Sequence, residues 1–348
     1  MAAARHPPTL QERVLHGWAT RGLWSWLMRP LSWLFGLVSS LRRLLYRLGW
    51  LTRHRVDAVV IIVGNVVAGG VGKTPLVIAL AQHLVASGWR VGVVSRGYGR
   101  VGGDCREVND DSTPQELGDE PVLIHRSASV PVFVAPKRVE AAQALLAAHP
   151  STQIILCDDG LQHYALHRDI EICVFDDRGV GNGCLLPAGP LREPWPRPVD
   201  MVLHTGSYPA FEGFTATRKL AHHALRADGS RIALSALAQP GERPLQAVAA
   251  IAQPQKFFAM LREAGVVLAE TVALPDHASF DDWEPAQAAQ FTLLCTEKDA
   301  VKLWRRHPEA LAVPLHVAPE AAFLTALDQL VRARLAAKLS SPHGHTTT

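Results

Sequence analysis

Short apolar-rich runs recur along the middle of the chain, at 58–63, 90–95, 130–135, 153–157, 170–175 and 199–204. They have the length of strands, and little of the strict alternation that marks a half-exposed sheet. Helical stretches fall between several of them, notably 75–87 and 137–148. Strand and helix in alternation predict an α/β fold, a parallel sheet with helices on both faces. Turn-forming residues (DGS, QPGERP) crowd 227–244, and a shorter α/β pattern follows: strand 246–252, helix 254–264, strands 266–273 and 291–295. The expected divisions are an N-terminal helical segment (1–57), a main domain (58–228), a smaller C-terminal α/β domain (229–338) and a disordered polar tail (339–348).

In open α/β sheets ligands gather at the carboxyl ends of strands, so the residues just after each strand carry the chemistry. The first strand ends in Gly64-Asn65 and runs into VVAGGVGKTP, followed by an apolar helical pattern. Strand, glycine turn, Gly-Lys-Thr and helix in that order form a phosphate-binding loop. Gly69, Gly70, Val71, Gly72, Lys73, Thr74 and Pro75 are the expected nucleotide cradle, with backbone N–H groups facing phosphate oxygens. Lys73 reaches the β/γ-phosphates and the Thr74 hydroxyl ligates Mg²⁺. The strict pattern wants Gly at position 67, where this chain has Val67; Gly69 and Gly70 supply the flexibility instead. The fourth of the strands, QIILCDDG, delivers Asp158 and Asp159 to a strand end, the form of a Walker B metal carboxylate. The predicted ligands are therefore a nucleoside triphosphate and Mg²⁺.

Residues 1–57 differ from the rest. Five of the nine Trp (18, 24, 26, 33 and 50) lie there, beside Arg29, Arg42, Arg43, Arg47, Arg53 and Arg55. The uninterrupted apolar run 31–41 is too short for a bilayer, which needs about 20 residues. Trp and Arg interleaved with Leu suit an interfacial helix at the headgroup level; the plainer alternative is a helix packed on the protein's own core. The interfacial reading predicts a peripheral or shallowly inserted N-terminus, with the Arg cluster facing anionic lipid on the cytoplasmic side. A formal charge of only +3 over 348 residues argues against a polyanion binder, so no nucleic-acid partner is expected. No obligate protein partner is evident either. The five Cys show no C-x-x-C pair, and Cys157 and Cys173 read as buried thiols of a reducing compartment.

Other segments are less decided. SRGYGR (95–100) is either a plain surface loop or a contact for an anionic or sugar substrate. Asp119-Glu120 at a helix start are either caps favouring the helix dipole or a catalytic base and a metal carboxylate. GNGCLLPAGPLREP (181–194) reads as an ordered loop over the strand ends, with Arg192 a candidate phosphate contact. His277 follows a later strand.

Taken in order, GNVVAGGVGKTP, SRGYGR, GDEP, Lys137-Arg138, DDGLQH, GNGCLLPAGPLREP, PDH and TEKDAVK resemble the tetraacyldisaccharide 4'-kinase family over residues 15–335. The resemblance implies two α/β domains with the active site between them and an N-terminal membrane-binding helix. It implies transfer of the γ-phosphate of ATP, with Mg²⁺, to an acylated disaccharide lipid. Carried over by position, Asp119 is the catalytic aspartate and His277 its partner from the second domain. Glu120, Asp158 and Asp159 match the metal carboxylates, and Tyr98, Arg138, Gln162 and Arg192 positions around nucleotide or substrate. Val67 replaces the Thr usual in the family's loop, and Ala278 the second His often found after Asp-His. The competing reading is a membrane-associated deviant-Walker ATPase switch; those proteins carry a signature Lys where this chain has Ala68.

Overall fold

The computed structural model describes residues 17–340 apart from 19, 240, 242, 282 and 285–289. Strands β1 (Val59–Gly64), β2 (Val91–Ser95), β3 (Arg106–Glu107), β4 (Val132–Val134), β5 (Ile154–Asp158), β6 (Ile170–Phe175), β7 (Met201–His204) and β8 (Phe214–Leu220) come first. Then follow β9 (His223–Leu225), β10 (Arg231–Ala233), β11 (Leu245–Ala249), β12 (Leu268–Ala273), β13 (Thr292–Thr296), β14 (Leu311–Val313) and β15 (Leu315–Pro319). They form a nine-stranded sheet ordered β15-β8-β7-β6-β1-β5-β2-β4-β3 and a six-stranded one ordered β10-β9-β14-β13-β11-β12. All six strands expected in the main domain are present.

The main sheet is parallel from β8 to β4, with antiparallel strands at its two edges. Every residue of β1 is buried. Val59, Ile61 and Val63 pack under the helices Lys73–Ala86, Asp119–Ala128 and Ala321–Ser340, while Val60 and Ile62 pack against Arg138–Ala148 on the opposite face. Burial on both faces is why the strand reads as an unbroken apolar run. Parallel pairing of Val63 with Asp158 puts the carboxyl ends of β1 and β5 side by side. The glycine loop and the two aspartates, far apart in sequence, thereby become neighbours.

The smaller sheet has a helix on each face. Phe257, Phe258 and Leu261 of the helix Pro254–Glu263 fill one core, and Ala300 and Leu303 of the helix Glu297–Leu303 the other. The expected division at 228/229 is corrected, because β9 and β10 already form an antiparallel hairpin within this sheet. The crossing lies at Ala221-His222, between β8 and β9. The chain then returns at Pro314, so that β15 and the helix Ala321–Ser340 belong to the main domain rather than to the expected 229–338 unit. Ala221 N donates to Pro314 O at 2.8 Å, which ties the two crossings together. A repeat of Phe323, Leu327 and Val331, all buried, explains the return: one apolar stripe at helical spacing needs the open face of the main sheet. The expected tail is corrected at its start, since residues 339 and 340 end this helix. Residues 341–348 lie outside the described residues.

At the N-terminus stand the helices Leu23–Leu27 and Arg29–Arg47. Pro30 falls in the first turn of the second, where its missing N–H is not needed, so it starts the helix instead of breaking it. Ser32 Oγ donates to Leu185 O at 2.7 Å and Trp18 Nε1 to Pro187 O at 3.0 Å. These bonds seat the helices on the 181–194 loop. The other face carries Trp26, Trp33, Leu34, Leu37, Leu41 and Leu44, all exposed. Among the described residues no helix is long and apolar enough to cross a membrane.

Candidate active site

A cleft of about 1550 Å³ opens between the two sheets. Gly69 to Pro75 form part of its wall, with Tyr98, Glu120, Arg138, Asp158, Asp159, Gln162 and Arg192 from the main domain and His277 and Lys298 from the smaller one. Every predicted site residue except Asp119 lines it.

Gly69 and Gly72 have φ of +97° and +77°, left-handed values that a side chain disfavours. They bend the chain tightly between β1 and the helix that begins at Lys73. Lys73 Nζ donates to Asn65 Oδ1 at 3.1 Å and pairs with Asp159 Oδ1 at 3.4 Å. Asp159 is also gripped by Arg192 Nη1, at 3.1 and 3.0 Å to its two oxygens. Burial opposes its ionisation, but Lys73 and Arg192 outweigh burial and hold the carboxyl at about 2. Asp158 is the opposite case. Burial, with Glu120 and Asp159 close by, pushes its carboxyl up to about 7. Among the described residues its Oδ1 is buried without a hydrogen-bond partner. Two adjacent aspartates are thus divided into one locked anion and one under-compensated acceptor.

Arg138, Gln162 and Arg192 form a support network around this pair. Arg138 is 3% exposed and donates to Asp158 O at 3.0 Å. Gln162 Nε2 bonds Asn65 O at 3.3 Å and Glu193 Oε1 at 3.0 Å. In this arrangement Gln162 and Arg192 spend bonds on the protein's own anions and carbonyls.

Also in the main domain, though not part of the cleft lining, Asp119 begins the helix Asp119–Ala128 and is 8% exposed. Its Oδ2 receives Lys302 Nζ at 2.9 Å and faces His277 Nδ1 at 3.3 Å. Burial opposes the charge on Asp119, yet His277 and Lys302 together hold it below its ordinary value. Both partners come from the smaller domain. His277 adopts φ +64°, rare for a residue with a side chain, and its N–H donates to Ala250 O at 3.1 Å. Tyr98 packs against its ring at 5.2 Å between centroids. Lys298 links the walls again, 3.8 Å from Glu120 and 3.6 Å from Asp276.

Asn65, Lys298 and Lys302 were not singled out by sequence. A signal for the lysines was present in TEKDAVK: positions four apart share one face of a helix. The Thr296 cap and buried Asp299, which accepts from Ala250 N at 3.1 Å, fix that helix so the face meets Asp119. Asn65 has no such signal, because its role depends on where Lys73 returns in space.

Among the described residues, no three His, Cys, Asp or Glu converge closely enough to hold an ion unaided.

The fold and the site define an α/β protein whose glycine-rich anion cradle lines a cleft between two domains, with a main-domain carboxylate, Asp119, held by histidine and lysine of the second domain. The profile of the tetraacyldisaccharide-1-P 4'-kinase family matches residues 24–332. The tetraacyldisaccharide 4'-kinase of Acidovorax sp. (strain JS42) is 54% identical over 99% of this chain and 100% of its own. That of Polaromonas sp. (strain JS666) is 57% identical over 95% of this chain and 99% of its own. LpxK from Aquifex aeolicus, crystallised in a form described as "apo" in complex with ATP, has a TM-score of 0.76 and 28% identity, covering 88% of this chain and 99% of its own. The chain belongs to the tetraacyldisaccharide-1-P 4'-kinase family, the kinases of lipid A biosynthesis.

Proposed function

We propose that the cleft transfers the γ-phosphate of ATP to the 4'-hydroxyl of a tetraacyldisaccharide 1-phosphate, giving lipid IVA, with Asp119 as the base. The observation that carries this reading is that Lys73 and its glycine loop line one cleft with His277, which together with Lys302 holds an ionised Asp119. A sugar hydroxyl is a poor nucleophile near neutral pH, so a carboxylate within reach must take its proton as the O–P bond forms. Because His277 and Lys302 both engage Oδ2, Oδ1 is the oxygen left for that proton. His277 then serves to orient the carboxylate. Phosphoryl transfer otherwise asks for positioning and charge neutralisation, which Lys73, Arg138 and Arg192 supply.

The donor set fits Mg²⁺: the partnerless Asp158 Oδ1 is an acceptor that a cation would satisfy. Thr74, Glu120, Asp158 and Asp159 would hold it, and when bound it neutralises charge on the β- and γ-phosphates. The exposed Trp/Leu face of the helix Arg29–Arg47 supports a shallow seat on the cytoplasmic face of the inner membrane, where an acylated acceptor resides. The deviant-Walker switch loses ground to the family match and to Ala68 in place of its lysine.

The test is transfer of label from γ-³²P-ATP to a lipid A disaccharide precursor, with wild type and Asp119→Ala. The variant should bind ATP nearly as well and transfer nothing. Hydrolysis of ATP by the wild type without lipid labelling would overturn the kinase reading. Wild-type turnover in the variant would overturn the base.

A further inference from the structure

The glycine loop is held by two arginines that the mechanism above does not use, of which Arg218 also lines the cleft. Arg178 Nη2 donates to Gly70 O at 2.9 Å and Nη1 to Ala68 O at 3.4 Å. Its Nε bonds both oxygens of Asp176 at 3.0 Å. Arg218 Nη2 donates to Val71 O and to Thr205 Oγ1, and Thr205 Oγ1 in turn donates to Val71 O at 3.1 Å. Three carbonyls of the segment 68–71 are therefore captured on one side. In a trans peptide the following N–H points away from the carbonyl. The N–H groups of Gly69, Val71 and Gly72 must then face away from the guanidinium groups. Among the described residues none of these three N–H groups has an acceptor.

The approach is close. A Cβ built on Gly69 would lie 3.0 Å from Arg178 Nη1, and one on Gly72 would lie 2.8 Å from Arg218 Nη2. The glycines thus serve the arginines as well as the turn. Asp176 and Thr205 follow the ends of β6 and β7, so the clamp rests on rigid strand ends. It also reaches the second domain, where Gln253 Nε2 donates to Asp176 Oδ2 at 3.2 Å.

We infer that Arg178 and Arg218 are positioning residues for ATP: by holding the carbonyls of Ala68, Gly70 and Val71 they keep the intervening N–H groups turned toward the phosphates. This role rests on reading 69–75 as the phosphate site.

The experiment compares Arg178→Met, Arg178→Lys and Arg218→Met in the full-length protein by KM for ATP, KM for the lipid acceptor, and the rise in unfolding temperature on adding ATP. Each Met variant should raise the ATP KM by about tenfold or more, the effect of losing charged hydrogen bonds. The acceptor KM should stay near wild type. The unfolding temperature without ATP should fall in Arg178→Met, which leaves buried Asp176 without its ion-pair partner, so the ATP effect is read from the further rise on adding ATP. Arg178→Lys keeps the charge but cannot span two carbonyls, so its ATP KM should rise as well, by less. It also covers the case in which a Met variant fails to fold. A wild-type ATP KM in the folded variants, or an equal rise in both KM values, overturns the clamp. Lys73→Ala separates the two ideas. If it binds ATP normally the phosphate-site reading itself fails; if it does not, while the arginine variants behave as wild type, only the clamp fails.

Discussion

Lys302→Met tests how the cleft is held together. Lys302 is 5% exposed and Asp119 8%, so their 2.9 Å pair is screened little by water. Removing one partner of a buried ion pair costs about 3–5 kcal/mol, because the other charge stays buried. His277 still faces Asp119 Oδ2 at 3.3 Å, which puts the expectation near the lower end, about 3 kcal/mol. Converting Asp119 to Asn as well removes the stranded charge. The double variant should then lose only about 1 kcal/mol, the net worth of an ordinary hydrogen bond. The coupling between the two sites is thus at least about 2 kcal/mol, larger by whatever Asp119→Asn costs alone in stranding Lys302, and well beyond the additivity error of roughly 0.5 kcal/mol. Urea unfolding of wild type, both single variants and the double variant closes the cycle, with Trp304 beside the lesion as a fluorescent reporter. The pH dependence has a definite sign. The folded carboxyl lies below its ordinary value, so its contribution is present above that value and is lost as pH falls through the folded one. The Lys302→Met penalty should be full at pH 7–8 and shrink in acid. Additive single losses, or a Lys302→Met cost below about 1 kcal/mol, would refute the argument.

Two further outcomes are expected. Because Asp158 is pushed up to about 7, the folded protein binds more protons than the unfolded chain between the ordinary carboxylate value and about 7. Stability without Mg²⁺ and ATP should therefore fall as pH rises through that window, and Asp158→Asn should flatten the fall; an unchanged slope would count against an under-compensated Asp158. At the N-terminus, Leu37→Glu and Leu41→Glu alter exposed positions and leave the Ser32–Leu185 anchor intact, unlike truncation. Each should weaken co-sedimentation with anionic vesicles by about tenfold or more, from the transfer free energy of one buried Leu. Equal partitioning with wild type would reject the membrane seat.

Some of this molecule was legible in the chain itself. Strands buried on both faces leave unbroken apolar runs, which is why β1, β5 and β6 were placed from sequence to within a residue or so. The glycine loop was legible because its chemistry is local: φ values above zero, a lysine and a hydroxyl fall within six residues. Asp158-Asp159 was legible for the same reason, a strand end followed at once by carboxylates. β8, β9 and β15 were not, since short half-exposed strands derive their identity from the neighbour they pair with; β14 is buried but only three residues long, too short a run to read as a strand.

What only the tertiary structure decided is everything that depends on two distant segments meeting. Sequence presents Asp158 and Asp159 as equals; their surroundings divide them, because Lys73 and Arg192 reach one and burial dominates the other. Sequence permits Asp119 to be a helix cap, and the second domain makes it an ion-paired carboxylate through His277 and Lys302. The return of the chain at Pro314 was likewise hidden, because the apolar stripe at 323, 327 and 331 shows that a partner is needed but not which sheet supplies it. Hydrophobic periodicity and backbone sterics act within a few residues, so they are written into the chain. Desolvation and Coulomb interactions act through space, so they are settled only when the fold closes.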